Sequence, residues 1–235
     1  MTTSGTSVFN LNLSDLVEEA FERCGAELRT GYDLRTARRS LNLLTIEWAN
    51  RGINLWTIEQ GSIPMVQGQI VYTLPVDTID LLEHVVRTQT GEQQTDITIN
   101  RISIDTYSTI PNKNAQGRPI QVWINRQSGA QNPSGVQAPN INVWPAPDQN
   151  NYYTFVYWRL RRLQDAGDGV TTQDIPFRFL PCMVAGLAYH LSLKIPGALE
   201  RSMSLKAQYE ELWQQAADED REKAPLRIAP RQYFR

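Results

Sequence analysis

Hydrophobic residues enter the chain at helical spacing. Leu13, Leu16, Val17, Ala20, Phe21 and Cys24 recur every three or four positions and form one apolar stripe. Ser14 is placed to cap this helix, and Asp15, Glu18 and Glu19 suit the positive end of its dipole. Gly25 weakens the end of the pattern and Gly31 is a stop. A second helix is predicted from near Asp33. Its positions Leu34, Ala37, Leu41, Leu44 and Trp48 make a seam for an antiparallel partner, expected to be the first helix, and Gly52 stands where a closing glycine belongs.

From about Trp56 to Leu163 the period changes to two. Segments 62–74, 81–89, 97–102, 120–125, 140–144 and 152–160 alternate or are rich in β-branched and aromatic residues. Turn residues separate them at Gly91, 111–114, Gly117, 128–139 and 145–150. Short strands with regular turns predict a sandwich or barrel. The last strand carries Tyr153, Phe155 and Tyr157 on one face and Val156 and Trp158 on the other, so it is expected to be central or covered by another subunit. Helical spacing then returns. Segment 179–193 is apolar nearly all round, which predicts a buried helix, with Pro181 in its first turn. Pro196 and Gly197 break the chain. A final helix over 198–222 is expected to bury Leu199, Met203, Tyr209, Leu212, Trp213 and Ala216.

The predicted fold class is therefore α+β. N- and C-terminal helices form a bundle, a long antiparallel β-sandwich or barrel-like domain is inserted between them, and an extended arm follows. The expected boundaries are 1–55 for a helical hairpin, 56–165 for the β-rich insertion, 166–222 for the helices that complete the bundle, and 223–235 for the arm.

Composition excludes more than it suggests. The chain is 41% hydrophobic and 20% charged with a formal net charge of −2, values of an ordinary globular protein. So small a charge gives no broad electrostatic pull toward DNA or membranes. The two cysteines, Cys24 and Cys182, lie in apolar helical contexts and suit a reducing compartment. Residues 1–7 have neither the basic nor the apolar region of a signal peptide, and no apolar run reaches the roughly 18 residues of a membrane span. His84 falls in a strand pattern and His190 in the buried-helix pattern, both structural settings. No zinc spacing, phosphate loop or nucleophile motif occurs, so no catalytic, cofactor-binding or metal-binding residue is assigned. Segment 165–169 has a superficial likeness to a calcium loop but lacks the ligand positions, and reads as a turn. Arg159, Arg161 and Arg162 beside Trp158 have the makings of a single-strand contact, yet a salt-bridging role at the strand end fits a slightly acidic chain better.

Charge changes sign at the end of the chain. Residues 200–222 hold seven acids against three bases, whereas 223–235 hold Lys223, Arg227, Arg231 and Arg235 and no acid. The segment has two prolines, Pro225 and Pro230, and no helical periodicity, and Leu226, Ile228, Tyr233 and Phe234 are more apolar content than a frayed tail carries. The segment reads as an arm that docks in extended form. The two N-terminal helices also differ: Asp15, Glu18, Glu19 and Glu22 mark the first, and Arg35, Arg38 and Arg39 the second. In a lone subunit these are two solvated faces.

Several short motifs follow one another in order. They are 49–56 (Ala-Asn-Arg-Gly-Ile-Asn-Leu-Trp), 68–75 (Gly-Gln-Ile-Val-Tyr-Thr-Leu-Pro), 117–119 (Gly-Arg-Pro) and 143–148 (Val-Trp-Pro-Ala-Pro-Asp), then the 175–193 helix and an acidic helix with a basic, Pro-containing tail. Gly117 is expected to supply a backbone angle other residues resist, and Pro145 and Pro147 to stiffen a passage between strands. The series resembles the head-to-tail adaptor proteins of short-tailed phages, also called tail tubular protein A or tail accessory factor, over nearly the whole chain. That resemblance implies a non-catalytic virion protein without cofactor. It implies a ring of twelve copies below the portal protein that extends the DNA channel and carries the tail nozzle. Genome DNA would pass without specific binding, and no membrane is involved. Assembly would occur in the host cytoplasm. The portal-docking element it implies maps onto Pro225, Leu226, Arg227, Ile228, Pro230, Arg231, Tyr233, Phe234 and Arg235. In such a ring, Glu18, Glu22, Arg35, Arg38, Arg39, Tyr157 and Arg159 become candidates for the contact between subunits, one surface meeting a different one on the neighbour. The alternatives are a head-completion or other tail protein of a long-tailed phage, and a glycan-binding β-module that uses Trp123 and Trp144.

Overall fold

The computed structural model describes residues 3–29, 31–52, 55–89, 93–127, 131–132 and 135–221. In chain order it holds α1 (Leu13–Cys24), α2 (Gly31–Arg51), β1 (Ile58–Pro64), β2 (Val71–Thr73), β3 (Thr78–Thr88), β4 (Thr95–Thr98), β5 (Asn100–Arg101) and α3 (Ile104–Ser108). Then come β6 (Gln121–Asn125), β7 (Gln131–Asn132), β8 (Gly135–Val136), β9 (Asn140–Trp144), β10 (Tyr153–Arg161), α4 (Leu180–Ser192) and α5 (Ser202–Glu219). The protein is α+β, and it divides into a unit of residues up to Leu55 and from Gln164 onward, and a unit of Trp56–Leu163.

In the helical unit α4 is the centre. It buries Leu180, Cys182–Leu187, Ala188, Leu191 and Ser192, and α1, α2 and α5 each pack against it. The seam of α2, with Ala37, Leu41, Leu44 and Trp48 fully buried, therefore faces α4 more than α1. This corrects the expected α1–α2 hairpin pairing: α4 is apolar all round, and one partner would leave most of it wet. Gly186 allows the close approach, because a Cβ there would lie 2.9 Å from Tyr209 Cε2 and 3.0 Å from Leu44 Cδ2.

Capping differs from the expectation as well. Asn12, not Ser14, caps α1, its Oδ1 accepting from Asp15 N at 2.9 Å. The orphan N–H groups of Leu13 and Ser14 donate to the carbonyls of Thr171 (2.9 Å) and Gly169 (3.0 Å). Segment 165–169 is thus used as a cap, and Arg38 Nε (2.9 Å, onto Ala166 O) and Asn42 Oδ1 (2.7 Å, from Ala166 N) pin it to α2. At the other end Gly25 takes φ 75° and closes α1, with the Arg201 guanidinium packed over it at the negative end of the dipole. In α5 the buried residues are Leu205, Tyr209 and Ala216. Leu199 and Met203 are exposed, against expectation, because Leu199–Arg201 is a separate 3-10 turn and α5 starts only at Ser202.

The second unit is a sandwich. One sheet runs β1-β10-β3-β4 and the other β2-β9-β6-β5, with β7 and β8 as a small separate hairpin. All pairings are antiparallel except β5 with β6. One core is built from both sheets, with Phe155, Leu81 and Val86 from the first and Val122, Ile141 and Val143 from the second. The expected single strand over 62–74 is two strands in different sheets. Pro64 has no N–H to extend the ladder, Gly68 turns with φ 74°, and Tyr72 Oη grips Val66 N at 3.0 Å. The last strand, β10, is central in its sheet, which accounts for apolar side chains on both faces.

Replacing Gly186 by Ala should cost about 1–3 kcal/mol, since the new methyl meets a Tyr209 ring that hydrogen bonds hold in place. Urea unfolding of the two proteins measures it, and an unchanged midpoint would mean that α4 and α5 pack less closely than described.

Candidate functional site

Helices α1 and α2 leave complementary outward faces. On α1, Asp15, Glu18 and Glu22 are exposed, and none forms a salt bridge among the described residues. Glu19 is engaged by Arg23, Nε to Oε1 at 2.9 Å. Beside this acidic row lies a groove of about 510 Å³. Its apolar wall is Leu180, Pro181 and Val184 from the start of α4, joined by Phe9 and Leu11 from the segment before α1. Phe9 is 77% exposed, far more than an aromatic ring with a partner would be. On α2, Arg35 and Arg39 are exposed without ion pairs among the described residues, and Leu43 and Ile46 continue the same stripe toward the helix end. A basic and apolar stripe on one helix thus answers an acidic and apolar groove on another.

The other sequence-predicted residues are placed differently. Arg38 has one hydrogen bond to Ala166 O and a looser contact with Asp168 at 3.7 Å, so its charge is already directed inside its own unit. Tyr157 is buried, and its ring covers its cross-strand partner Gly61 where a Cβ would otherwise stand. Arg159 donates to Asp77 Oδ1 at 2.6 Å, Glu59 Oε2 at 2.8 Å and Thr78 Oγ1 at 2.9 Å, while Arg161 Nε donates to Glu59 Oε1 at 2.7 Å. The Arg159 guanidinium holds the Asp77 carboxyl below the usual carboxylate range. The strand-end arginines therefore tie β1, β10 and the start of β3 together. Trp123 stacks on Tyr107 at 5.3 Å and Trp144 Nε1 donates to Asn112 O at 2.9 Å, so both tryptophans are engaged within their unit. Pro225, Leu226, Arg227, Ile228, Pro230, Arg231, Tyr233, Phe234 and Arg235 lie outside the described residues.

A polar cluster that sequence reasoning missed locks α2, which carries the basic face, to α4 and α5. Trp48 Nε1 donates to Tyr209 Oη at 2.9 Å, which in turn donates to Glu47 Oε1 at 3.1 Å. Arg51 Nε donates to Glu47 at 3.0 Å, its two terminal nitrogens each donate to Glu210 at 2.8 Å, and His190 Nε2 sits 3.1 Å from Glu47 Oε2. The Arg51 guanidinium also lies 4.8 Å from the Tyr209 ring centre and 5.1 Å from that of Trp213. Its pKa is driven upward, first by the hydrogen bond to Glu210, and Glu210 is lowered by the same contact. Burial, then the Glu47 charge, pushes the Tyr209 phenol upward. Each group is used for joining α2, α4 and α5. The signal available in the sequence was the i,i+4 spacing of Glu47 and Arg51.

The short motifs of the sandwich also converge. Gly117 N donates to Ala146 O at 2.8 Å, and Gly68 N donates to Pro147 O at 2.9 Å. Segments 66–69, 115–117 and 145–147 thus form one loop cluster. Gly117 is not among the residues with positive φ; that conformation belongs to Gly68. Among the described residues no group of His, Cys, Asp or Glu is arranged to hold a metal, and no helix is long and apolar enough to cross a membrane.

Residues 11–229 match the sequence model of a family described as SU10 adaptor protein, a phage head–tail adaptor family. No curated protein matches the chain.

Tyr209→Phe should destabilise the protein by about 1–3 kcal/mol, because it strips the acceptor from the buried Trp48 indole N–H. Chemical denaturation reads the loss, and wild-type stability would show that the indole finds another acceptor.

Proposed function

We propose that this chain, which belongs to the SU10 adaptor protein family of phage head–tail adaptors, works as one subunit of a ring seated below the portal. Its place as a structural virion component follows from the family, and a structural adaptor family implies a non-catalytic part. The ring, with twelve copies as the expected number, extends the DNA channel and carries the tail nozzle. The observation that carries this reading is the pair of unmatched faces on one rigid bundle. Asp15, Glu18 and Glu22 on α1 have no ion-pair partners among the described residues, nor do Arg35 and Arg39 on α2. Two different complementary surfaces on each copy support head-to-tail contacts, which close into a ring when the rotation between copies permits. The lateral contact is then Glu18 and Glu22 of one copy against Arg35 and Arg39 of the next, with Leu43 and Ile46 as its apolar part. Surface charges of this kind set register and partner choice more than raw affinity.

The arm 225–235 supplies the portal contact. Its four-residue spacing of Arg227, Arg231 and Arg235, with Leu226, Ile228, Tyr233 and Phe234 between and beside them, suits an acidic and apolar site on the partner. A net charge of −2 keeps genome DNA from adhering as it passes, because there is no large counterion release to gain.

Two sets of variants separate the parts of this reading. Removing 223–235 should abolish co-purification with the portal; undiminished portal binding would remove the arm from the account. Arg35→Glu with Arg39→Glu should prevent multi-copy assembly on the portal, and adding Glu18→Arg with Glu22→Arg should restore it. Normal assembly by the arginine variant alone would exclude the α1–α2 contact.

A further inference from the structure

We infer that in the free subunit the groove beside α1 is occupied by the chain's own segment 227–235. The chemistry of the two matches. The groove has an apolar wall of Leu180, Pro181 and Val184 and a rim on which Asp15, Glu18 and Glu22 have no salt bridge among the described residues. The segment carries Arg227, Arg231 and Arg235 with no acid, interleaved with Ile228, Tyr233 and Phe234. An aromatic and aliphatic strand with a basic residue at every fourth position fits an apolar floor with an acidic rim.

Connectivity brings the segment to this place. Asp220, just after α5, is buried and bonds to the Arg178 guanidinium and to Leu55 N at 3.0 Å. Arg178 stands only two and three positions before Leu180 and Pro181, which form the groove wall. With neighbouring Cα atoms 3.8 Å apart and one long side chain between, the chain leaves α5 on the order of 20 Å from the groove, a span of about six extended residues. Residues from Arg227 onward are then free to lie along it. A tether this short also raises the local concentration of the segment to about the millimolar range, which favours the chain's own segment over one from another copy.

The inference concerns the free chain and does not require the ring. The docked segment covers Glu18 and Glu22, the acids assigned to the lateral contact, so a portal that takes the segment also uncovers the face a neighbour needs.

The test uses the full-length chain with a fluorescent label at Gln232→Cys. Selective labelling is feasible because Cys24 and Cys182 are buried, with their thiols pushed up to about 11 and about 12 by burial. High anisotropy is expected for the labelled segment, unchanged over about a hundredfold dilution, as an intramolecular contact requires. Glu18→Lys with Glu22→Lys should lower it toward the value of a free peptide, and adding Arg227→Glu with Arg231→Glu should bring it back. Both acids are exposed, so the reversal leaves the core intact, and circular dichroism of each variant checks this. Low anisotropy in the wild type, no response to the reversal, or no recovery in the charge swap would each overturn the inference. A fall on dilution would overturn it too, by placing the segment on a second copy. Failure here would leave portal binding by the full chain untouched, so the adaptor reading is judged separately.

Discussion

Everything on the helical unit's surface depends on the burial of α4. A helix with apolar residues on all sides cannot stop at one partner, so α1, α2 and α5 are all drawn onto it, and Gly186 sets how near α5 and Leu44 come. Once three helices share one central partner, each has a defined outward side. The acidic row of α1, the basic and apolar stripe of α2 and the exposed Leu199 and Met203 are what remains after α4 is covered. The Glu47–Arg51–Tyr209–Glu210 cluster then fixes α2 and α5 in one register, because the Trp48 indole and Tyr209 hydroxyl inside it need each other. In the proposed assembly this join matters, since a contact between copies would be only as specific as the angle at which Arg35 and Arg39 are held.

The sandwich reaches its order by different means. Its central β10 is apolar on both faces, and Tyr157 lies over Gly61 across the strand pair, so an aromatic fills the gap a glycine leaves. Arg159 and Arg161 share Glu59, which closes the ends of β1 and β10. Residues that look suited to nucleic acid or sugar in a linear reading are thus matched inside the unit. This leaves the helical unit with the unmatched charge on α1 and α2 that the assembly reading uses.

Much of this was legible from spacing alone. The stripes of α1 and α2, the all-round apolar α4 and the two-residue period of the strands are local signals, and local signals name elements well. What spacing could not supply was partnership. The seam Ala37–Leu41–Leu44–Trp48 announces that α2 packs, not that it packs on α4. Tyr209 and Trp48 read as apolar anchors, while their polar ends meet only in three dimensions. The 62–74 segment alternates well enough to pass for one strand, and only Pro64 and Gly68 together show why it changes sheets. Residue type alone suits Arg159 and Tyr157 to a surface role, whereas Tyr157 is buried and Arg159 is bonded to Asp77, Thr78 and Glu59. Helix spacing puts Glu18, Glu22, Arg35 and Arg39 on outward faces, and all four are exposed.

We propose that this chain joins a portal as a multi-copy ring. The mass of the purified chain alone, and again after mixing with a portal complex, tests it most directly. A portal complex that gains many copies of the chain, with twelve as the expected number, is the predicted result. A chain that adds no mass to the portal under any mixing ratio would contradict the account.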